Sequence, residues 1–184
     1  MIITITGKPC SGKGTVSKEF CKKYNFKYLC TGDMFRELAK QHGYSTVLEF
    51  QQNYPNIEEI DNIIDNQTAE IGKTQLNENI VIDSRLAWNF IPNSFKVFVD
   101  VDWNIAANRL INAGRQNEQA STPEEASKIL KERWETENNR YTKIYNTNNL
   151  NLNNYDYVIS SNNLTPEELA DKIYNKYQEF MQKA

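Results

Sequence analysis

Short apolar runs punctuate an otherwise polar chain. Runs rich in Ile, Val, Phe and Tyr recur at Ile2–Thr6, Lys27–Cys30, Ile80–Asp83, Lys96–Asp100 and Tyr155–Ser160, each followed by a helix-compatible stretch. Strands alternating with helices predict an α/β fold with a parallel sheet. Two helix starts are well marked: Thr122-Pro123-Glu124-Glu125 and Thr165-Pro166-Glu167-Glu168 each place a capping Thr before a first-turn Pro, with Glu three residues after the Thr. They predict helices over Pro123–Tyr145 and Pro166–Gln182. Asp102 can cap a helix running to about Ala113, and Gly12–Tyr24 has helical character after its glycines. Between the second and third strands, Gly32–Gln75 carries helical patterns and no strand. Phe35, Leu38, Val47, Leu48, Ile57, Ile60, Ile64 and Ile71 supply it with one apolar face. Such an insertion reads as a substrate cover or, more plainly, as an elongated crossover. Asn146–Asn154 reads as a polar loop.

Composition narrows the class. At 184 residues one domain can bury roughly 70% of its unfolded surface, and two full domains would be a tight fit. The mean hydropathy is −0.70, yet ten Tyr, eight Phe and three Trp are far more aromatic mass than a disordered chain carries. The charge of −3, from 21 basic and 24 acidic residues, argues against a nucleic-acid coat. The apolar runs are far short of a membrane span, and the chain starts on a strand pattern with no secretory signal of the usual kind. A cytoplasmic monomer is the expectation. Cys10, Cys21 and Cys30 show no CxxC spacing and fit free thiols. His42 is the only histidine and reads as a surface or helix-end residue, which removes His-based triads and multi-His metal sites.

The first chemical signal follows the first strand: Gly7-Lys8-Pro9-Cys10-Ser11-Gly12-Lys13-Gly14-Thr15, opening a helix. This is a phosphate-binding loop. Glycines let backbone N–H groups turn inward around phosphate oxygens, the helix N-terminus adds a positive dipole end, and Lys13 brings a charge to the β and γ phosphates. Gly14 stands where Ser or Thr commonly follows the Lys, so Thr15 becomes the candidate hydroxyl for phosphate or a Mg²⁺ shell. Asp83, ending the third strand, is in a Walker-B-like place for Mg²⁺. Asp100 is a second strand-end aspartate, expected to cap the next turn. Arg36 sits about one turn into a helix beginning near Thr31, within reach of a phosphate at that helix N-terminus. Trp88 is expected in a core or wall.

The GKGT form resembles adenylate and related nucleoside monophosphate kinases, and Cys30-Thr31-Gly32-Asp33-Met34-Phe35-Arg36 resembles their TGDMLR segment. Asp83-Ser84-Arg85-Leu86-Ala87-Trp88 is similar to the EGRLA(G)W segment of archaeal-type cytidylate kinases, with Ser84 replacing Gly and the second Gly absent. Pro55 to Gln67 is similar to that group's (N)PEID-x-x-ID-x-x-Q. Glu132-Arg133-Trp134-Glu135 through Arg140-Tyr141 to Ile144-Tyr145 resembles its E-R-E-x-x-E-x-x-R-Y-x-x-I-Y helix. The resemblance spans nearly the whole chain.

It implies a three-layer P-loop NTPase fold with a five-stranded parallel sheet. The core would comprise residues 1–31, 76–114 and 146–184, with a monophosphate-binding insertion at 32–75 and a short lid at 115–145. Thr31, Arg36 and Arg85 would hold the acceptor phosphate, with Asp33 and Asp83 organising Mg²⁺, through water together with Thr15. Arg133 and Arg140 would contact phosphates from the lid, and Arg109 would pack on the ATP adenine; Arg115 fits less well because the lid spacing differs. Asp61 and Asp65 lie four apart on one helical face and can accept hydrogen bonds from a base's exocyclic amine and ring edge, which suits cytosine. The implied reaction is transfer of the ATP γ-phosphate to CMP or dCMP. The alternatives are an adenylate kinase, another monophosphate or small-metabolite kinase, or a nucleotide-binding module without catalysis.

Overall fold

The computed structural model describes residues 1–45, 49–50, 53–75, 77–113 and 120–182. Five parallel strands form one sheet: β1 (Ile2–Gly7), β2 (Lys27–Cys30), β3 (Ile80–Asp83), β4 (Phe95–Asp100) and β5 (Tyr157–Ser160), in the order β2-β3-β1-β4-β5. Every residue of β1 and β3 is buried, as helices on both faces of a parallel sheet demand. The register pairs Ile5 of β1 with Asp83 and Val97, and Cys30 with Asp83. Because the strands are parallel, their C-terminal ends share one edge, and the connections pass there from one side of β1 (β2 and β3) to the other (β4 and β5). This is where ligands bind in open α/β sheets.

Helix α1 (Lys13–Tyr24) covers one face with α7 (Pro166–Met181). Val16, Phe20, Leu169, Ile173 and Tyr177 close over Ile3, Ile5, Val81, Val97 and Val99. The other face carries the short α4 (Ala87–Phe90), α5 (Trp103–Asn112) and the long α6 (Pro123–Tyr145). Ala106, Ala107 and Leu110 of α5 pack on Ala126 and Leu130 of α6, while Trp134 joins Trp88, Phe98 and Tyr155. Trp88 is thus a core residue, as expected. His42 follows α2 (Thr31–Gln41) at its C-cap and stacks against Phe50 and Tyr54.

Helices α2 and α3 (Ile57–Thr74) make up the insertion, with Phe35, Leu38, Ala39, Phe50, Ile60 and Ile64 in a small core of its own. The single apolar face expected there is split. Ile71 leaves the insertion and packs with Ile2, Ile80, Ile82 and Ile91 under the sheet, so the C-terminal end of α3 belongs to the main core. Val47 and Leu48 lie outside the described residues.

Three expectations are corrected. The last strand starts at Tyr157, because residues 152–154 form a 3₁₀ turn and Tyr155 turns into the aromatic core with its OH donating to the Asn149 carbonyl at 3.2 Å. The Asn-rich loop is not merely polar surface: Asn149 is 1% exposed, and its backbone N–H donates to Asn138 Oδ1 at 2.9 Å. Asp100 caps nothing with its carboxylate; it forms an ion pair with Lys8 Nζ at 2.7 Å. Asp102 does hold the N-cap position of α5, without a side-chain capping bond.

Candidate active site

The loop after β1 carries two left-handed residues, Cys10 at φ 58° and Gly12 at φ 84°. Only glycine adopts that conformation without cost, and such reversals turn successive N–H groups toward one concavity. Ser11 Oγ is buried there and makes no hydrogen bond among the described residues. Lys8 is tied outward from the loop, to Asp100, to the Val101 carbonyl at 3.2 Å and over the Trp103 ring. Lys13, the first residue of α1, pairs with Asp83. The Asp83 carboxylate is 3% exposed, and the Tyr28 hydroxyl approaches its other oxygen at 3.3 Å. Burial first, and the Asp83 charge second, push the Tyr28 hydroxyl far above its ordinary range. Gly14 has a local reason to be glycine: a Cβ there would sit 3.1 Å from Asp83 Oδ2. The carboxylate occupies the side on which a Ser or Thr side chain would otherwise project.

The same sheet edge supplies the remaining groups. Thr31 opens α2 directly from β2, and on that helix Asp33 pairs with Arg36 one turn on. The Arg36 hydrogen bond holds the Asp33 carboxyl below the usual carboxylate range, though both side chains are more than half exposed. Arg85 follows β3. Its carbonyl accepts from Trp88 Nε1 at 3.2 Å and from Asn149 Nδ2 at 3.1 Å, and its guanidinium lies 5.6 Å from the Trp134 ring and pairs with Glu137. From α6, Arg133 Nε donates to Glu137 at 3.1 Å, and Arg140 pairs with Asp61 at 2.9 Å. The Tyr145 hydroxyl donates to Asp65. Helix α6 therefore bridges the cleft to α3. Burial raises the Asp61 and Asp65 carboxyls above their usual range, offset only in part by Arg140 at Asp61 and chiefly by the Tyr145 hydrogen bond at Asp65.

These groups line one open cleft of about 810 Å³. Residues 8–15, Thr31, Asp33, Arg36, Asp61, Asp65, Asp83, Arg85, Arg133 and Arg140 all border it. Gly7 and Arg109 do not. Gly7 ends β1 beneath the loop, and Arg109 is held behind it, donating to the carbonyl of Cys10 at 3.3 Å and to the Ser161 hydroxyl and carbonyl at 2.9 and 2.8 Å. Arg115 lies outside the described residues. Sequence reasoning missed Tyr28, Glu137 and Tyr145. Glu137 was within reach of it, standing four residues after Arg133 and three before Arg140 on one helical face. Tyr28 carried no signal, since only strand pairing brings it to Asp83.

Among the described residues, no three His, Cys, Asp or Glu side chains gather closely enough to hold a metal ion by themselves. That donor set fits a Mg²⁺ carried by a nucleotide, which needs one or two carboxylates and takes its other ligands from phosphates and water.

A family model described as an AAA domain matches residues 6–126. A cytidylate kinase from Sulfurisphaera tokodaii is 33% identical over 98% of this chain and 97% of its own. An S-adenosylmethionine-dependent nucleotide dehydratase from Lacinutrix mariniflava is 34% identical over 96% of this chain, which spans only 36% of that protein. A shikimate kinase structure from Bacteroides thetaiotaomicron shares the fold, with a TM-score of 0.67 over 99% of this chain and 98% of its own, at 18% identity. With its phosphate loop, five-stranded parallel sheet and arginine-lined cleft, the chain belongs to the nucleoside monophosphate kinase family of P-loop phosphotransferases, alongside the archaeal cytidylate kinases.

Proposed function

We propose that this protein transfers the γ-phosphate of ATP to CMP, and to dCMP, giving ADP and the cytidine diphosphate, as a cytoplasmic monomer. One observation carries the reading: the phosphate loop, the arginines of three separate elements and the acidic pair of α3 all border a single cleft. ATP would lie with its phosphates over residues 7–15 and its adenine toward Arg109. The acceptor phosphate would meet Thr31, Arg36 and Arg85, and its base would face Asp61 and Asp65. In-line transfer breaks the bond from Pγ to the β,γ-bridging oxygen and forms one from Pγ to an acceptor phosphate oxygen. No covalent enzyme intermediate is needed, because that oxygen is already anionic. Mg²⁺ bound with ATP would supply charge neutralisation at the phosphates, held by Asp83, Asp33 and Thr15, partly through water. Lys13, now on Asp83, is placed to turn to the phosphates, while Arg133 and Arg140 neutralise the charge that spreads over the transferred group.

Cytosine is favoured over uracil because both carboxylates that would read the base are hydrogen-bond acceptors and cytosine presents an amine donor where uracil presents a carbonyl; the choice over adenine, which also carries an exocyclic amine, is supported by the likeness to cytidylate kinases. Their present partners, Arg140 and Tyr145, mark the donors a base would replace or join. A coupled assay with ATP against CMP, dCMP, UMP, AMP and GMP tests this. The highest kcat/KM is expected for CMP; preference for AMP would overturn the base assignment, and tight ATP binding with no transfer would identify a binding module instead. With both Asp61→Asn and Asp65→Asn, the preference for CMP over UMP should fall by about tenfold or more, the order lost with one charged hydrogen bond.

A further inference from the structure

Glu137 faces two arginines at once. One carboxylate oxygen engages the Arg85 guanidinium and the other accepts from Arg133 Nε at 3.1 Å. The three side chains come from two elements: Arg85 from the turn after β3, and Arg133 and Glu137 from α6. Arg85 and Glu137 are mostly buried, at 18% and 22% exposure, and Arg133 is 40% exposed. The backbone of Arg85 is clamped independently by Trp88 and Asn149, and Asn149 is itself held by Asn138 of α6. The peptide is thus fixed from below and the guanidinium from the side. We propose that Glu137 is a positioning residue that binds Arg85 and Arg133 into one unit, holding Arg85 toward the acceptor phosphate and Arg133 beside it toward the transferred group. This rests on the acceptor-site reading of Arg85 given above.

The physical reason is charge crowding with too little water to screen it. Two guanidiniums pushed together in a partly buried cleft repel each other, and each would swing out to solvent unless something held it. A single carboxylate shared between them removes most of that repulsion and still leaves the pair with one net positive charge. A guanidinium carries five N–H groups, and Glu137 meets Arg133 through Nε and Arg85 through Nη1. Arg85 and Arg133 both border the cleft, and holding them in place means their arrangement no longer has to be found when the phosphate arrives, which is where positioning lowers the barrier. A glutamine of the same size cannot do this. Its single carbonyl oxygen can satisfy one arginine, while its NH₂ would present a donor to the other.

The opposite role is physically distinct. If Glu137 merely occupied the place of the acceptor phosphate, it would have to release the arginines on binding, and neutralising it would improve acceptor affinity. The test is steady-state kinetics with ATP and the acceptor selected by the monophosphate panel. It compares wild type, Glu137→Gln, Arg85→Ala and the double variant, with melting temperatures recorded for each. The expected result for Glu137→Gln is an acceptor KM raised roughly tenfold, the scale of one hydrogen bond to a charged group, with the ATP KM changed by less than about twofold. In the Arg85→Ala background the same substitution should cost much less, since the group it positions is gone. Should Glu137→Gln fail to fold, Glu137→Asp, which keeps the charge but is one methylene too short to bridge both arginines, takes its place in the cycle. A lowered acceptor KM, equal effects on both substrates, or effects that multiply independently of Arg85 would each overturn the proposal. A wild-type protein that phosphorylates no monophosphate would instead overturn the acceptor-site reading, and the proposal with it.

Discussion

At Lys13 and Asp83, one residue pair ties the proposed chemistry to the fold. Asp83 is 3% exposed, and its strongest partner is Lys13. Removing the lysine therefore does two things: it deletes the charge proposed for the phosphates, and it leaves a buried carboxylate with the Tyr28 hydroxyl and the Cys30 thiol beside one of its oxygens. Breaking a fully buried pair costs about 3–5 kcal/mol, and less here because Lys13 is 23% exposed. Lys13→Met is expected to abolish transfer and also to lower the melting temperature, whereas Lys13→Met combined with Asp83→Asn should recover most of the stability and none of the activity. Calorimetric melts beside the kinase assay separate the two effects; a stable, inactive Lys13→Met would show that Asp83 does not depend on its partner. The cysteines differ in the same residue-by-residue way. Burial pushes the Cys21 thiol up to about 12, so at pH 8 it is protonated as well as covered. Cys10 and Cys30 line the cleft. Iodoacetamide at pH 8 should label Cys10 and Cys30, ATP should slow labelling of Cys10 most, and Cys21 should react only after denaturation. Labelling of Cys21 in the native protein, read by peptide mass spectrometry, would contradict its burial.

Among the elements, helix ends were the most legible, because capping is a local interaction. Thr165 and Glu168 form a complete capping box: the Thr hydroxyl accepts from the Glu168 N–H at 3.2 Å, and the Thr165 N–H donates to the Glu168 carboxylate at 2.8 Å. The Thr165 N–H, and after it the Thr165 hydroxyl at 3.0 Å from the same carboxylate oxygen, hold the Glu168 carboxyl below its usual range. A lowered folded-state value means that this contribution is present above the ordinary glutamate range and disappears as the pH falls through it. Thr165→Ala should cost about 1 kcal/mol at neutral pH, and the difference from wild type should shrink in acid as the reciprocal bond is lost anyway. Thermal melts between pH 7 and pH 3 measure it. Helix α6 was legible over its full length but not in its orientation. Its period alone cannot say that Ala126, Leu130 and Trp134 face the core while Arg133, Glu137, Arg140 and Tyr145 face the cleft, because that division is set by α5 on one side and α3 on the other. Helix α3 was misjudged for a similar reason: its isoleucines look equivalent in sequence, yet Ile60 and Ile64 pack within the insertion and Ile71 packs under the sheet.

On the scale of the whole molecule, a chain with net charge −3 concentrates basic side chains on one cleft, and it holds Lys13, Arg85 and Arg140 there with acids from other elements. The contacts of Arg140 with Asp61 and of Tyr145 with Asp65 join α6 to α3 of the insertion. Burial raises both aspartates above their unfolded values, so the folded state binds protons more tightly in that range. This stabilising contribution is present below the ordinary aspartate range and is lost as the pH rises through the raised folded values. Asp65→Asn should accordingly flatten the pH dependence of stability in mildly acidic solution, and it should not lower the melting temperature at pH 7 by more than a few degrees. A large loss at pH 7 would mean that the charged contact with Tyr145 outweighs its desolvation. By itself the sequence determined the strand order in time, the helix starts, the phosphate loop and the family. All of these rest on local patterns: apolar runs, capping residues, and glycines placed beside a lysine. Only the tertiary structure decided which charges meet. Lys13 found Asp83, Lys8 found Asp100, and Glu137 found Arg85 across sequence separations that no periodicity encodes, because parallel strands bring distant chain segments to one edge and burial there forces each charge to take the nearest opposite partner.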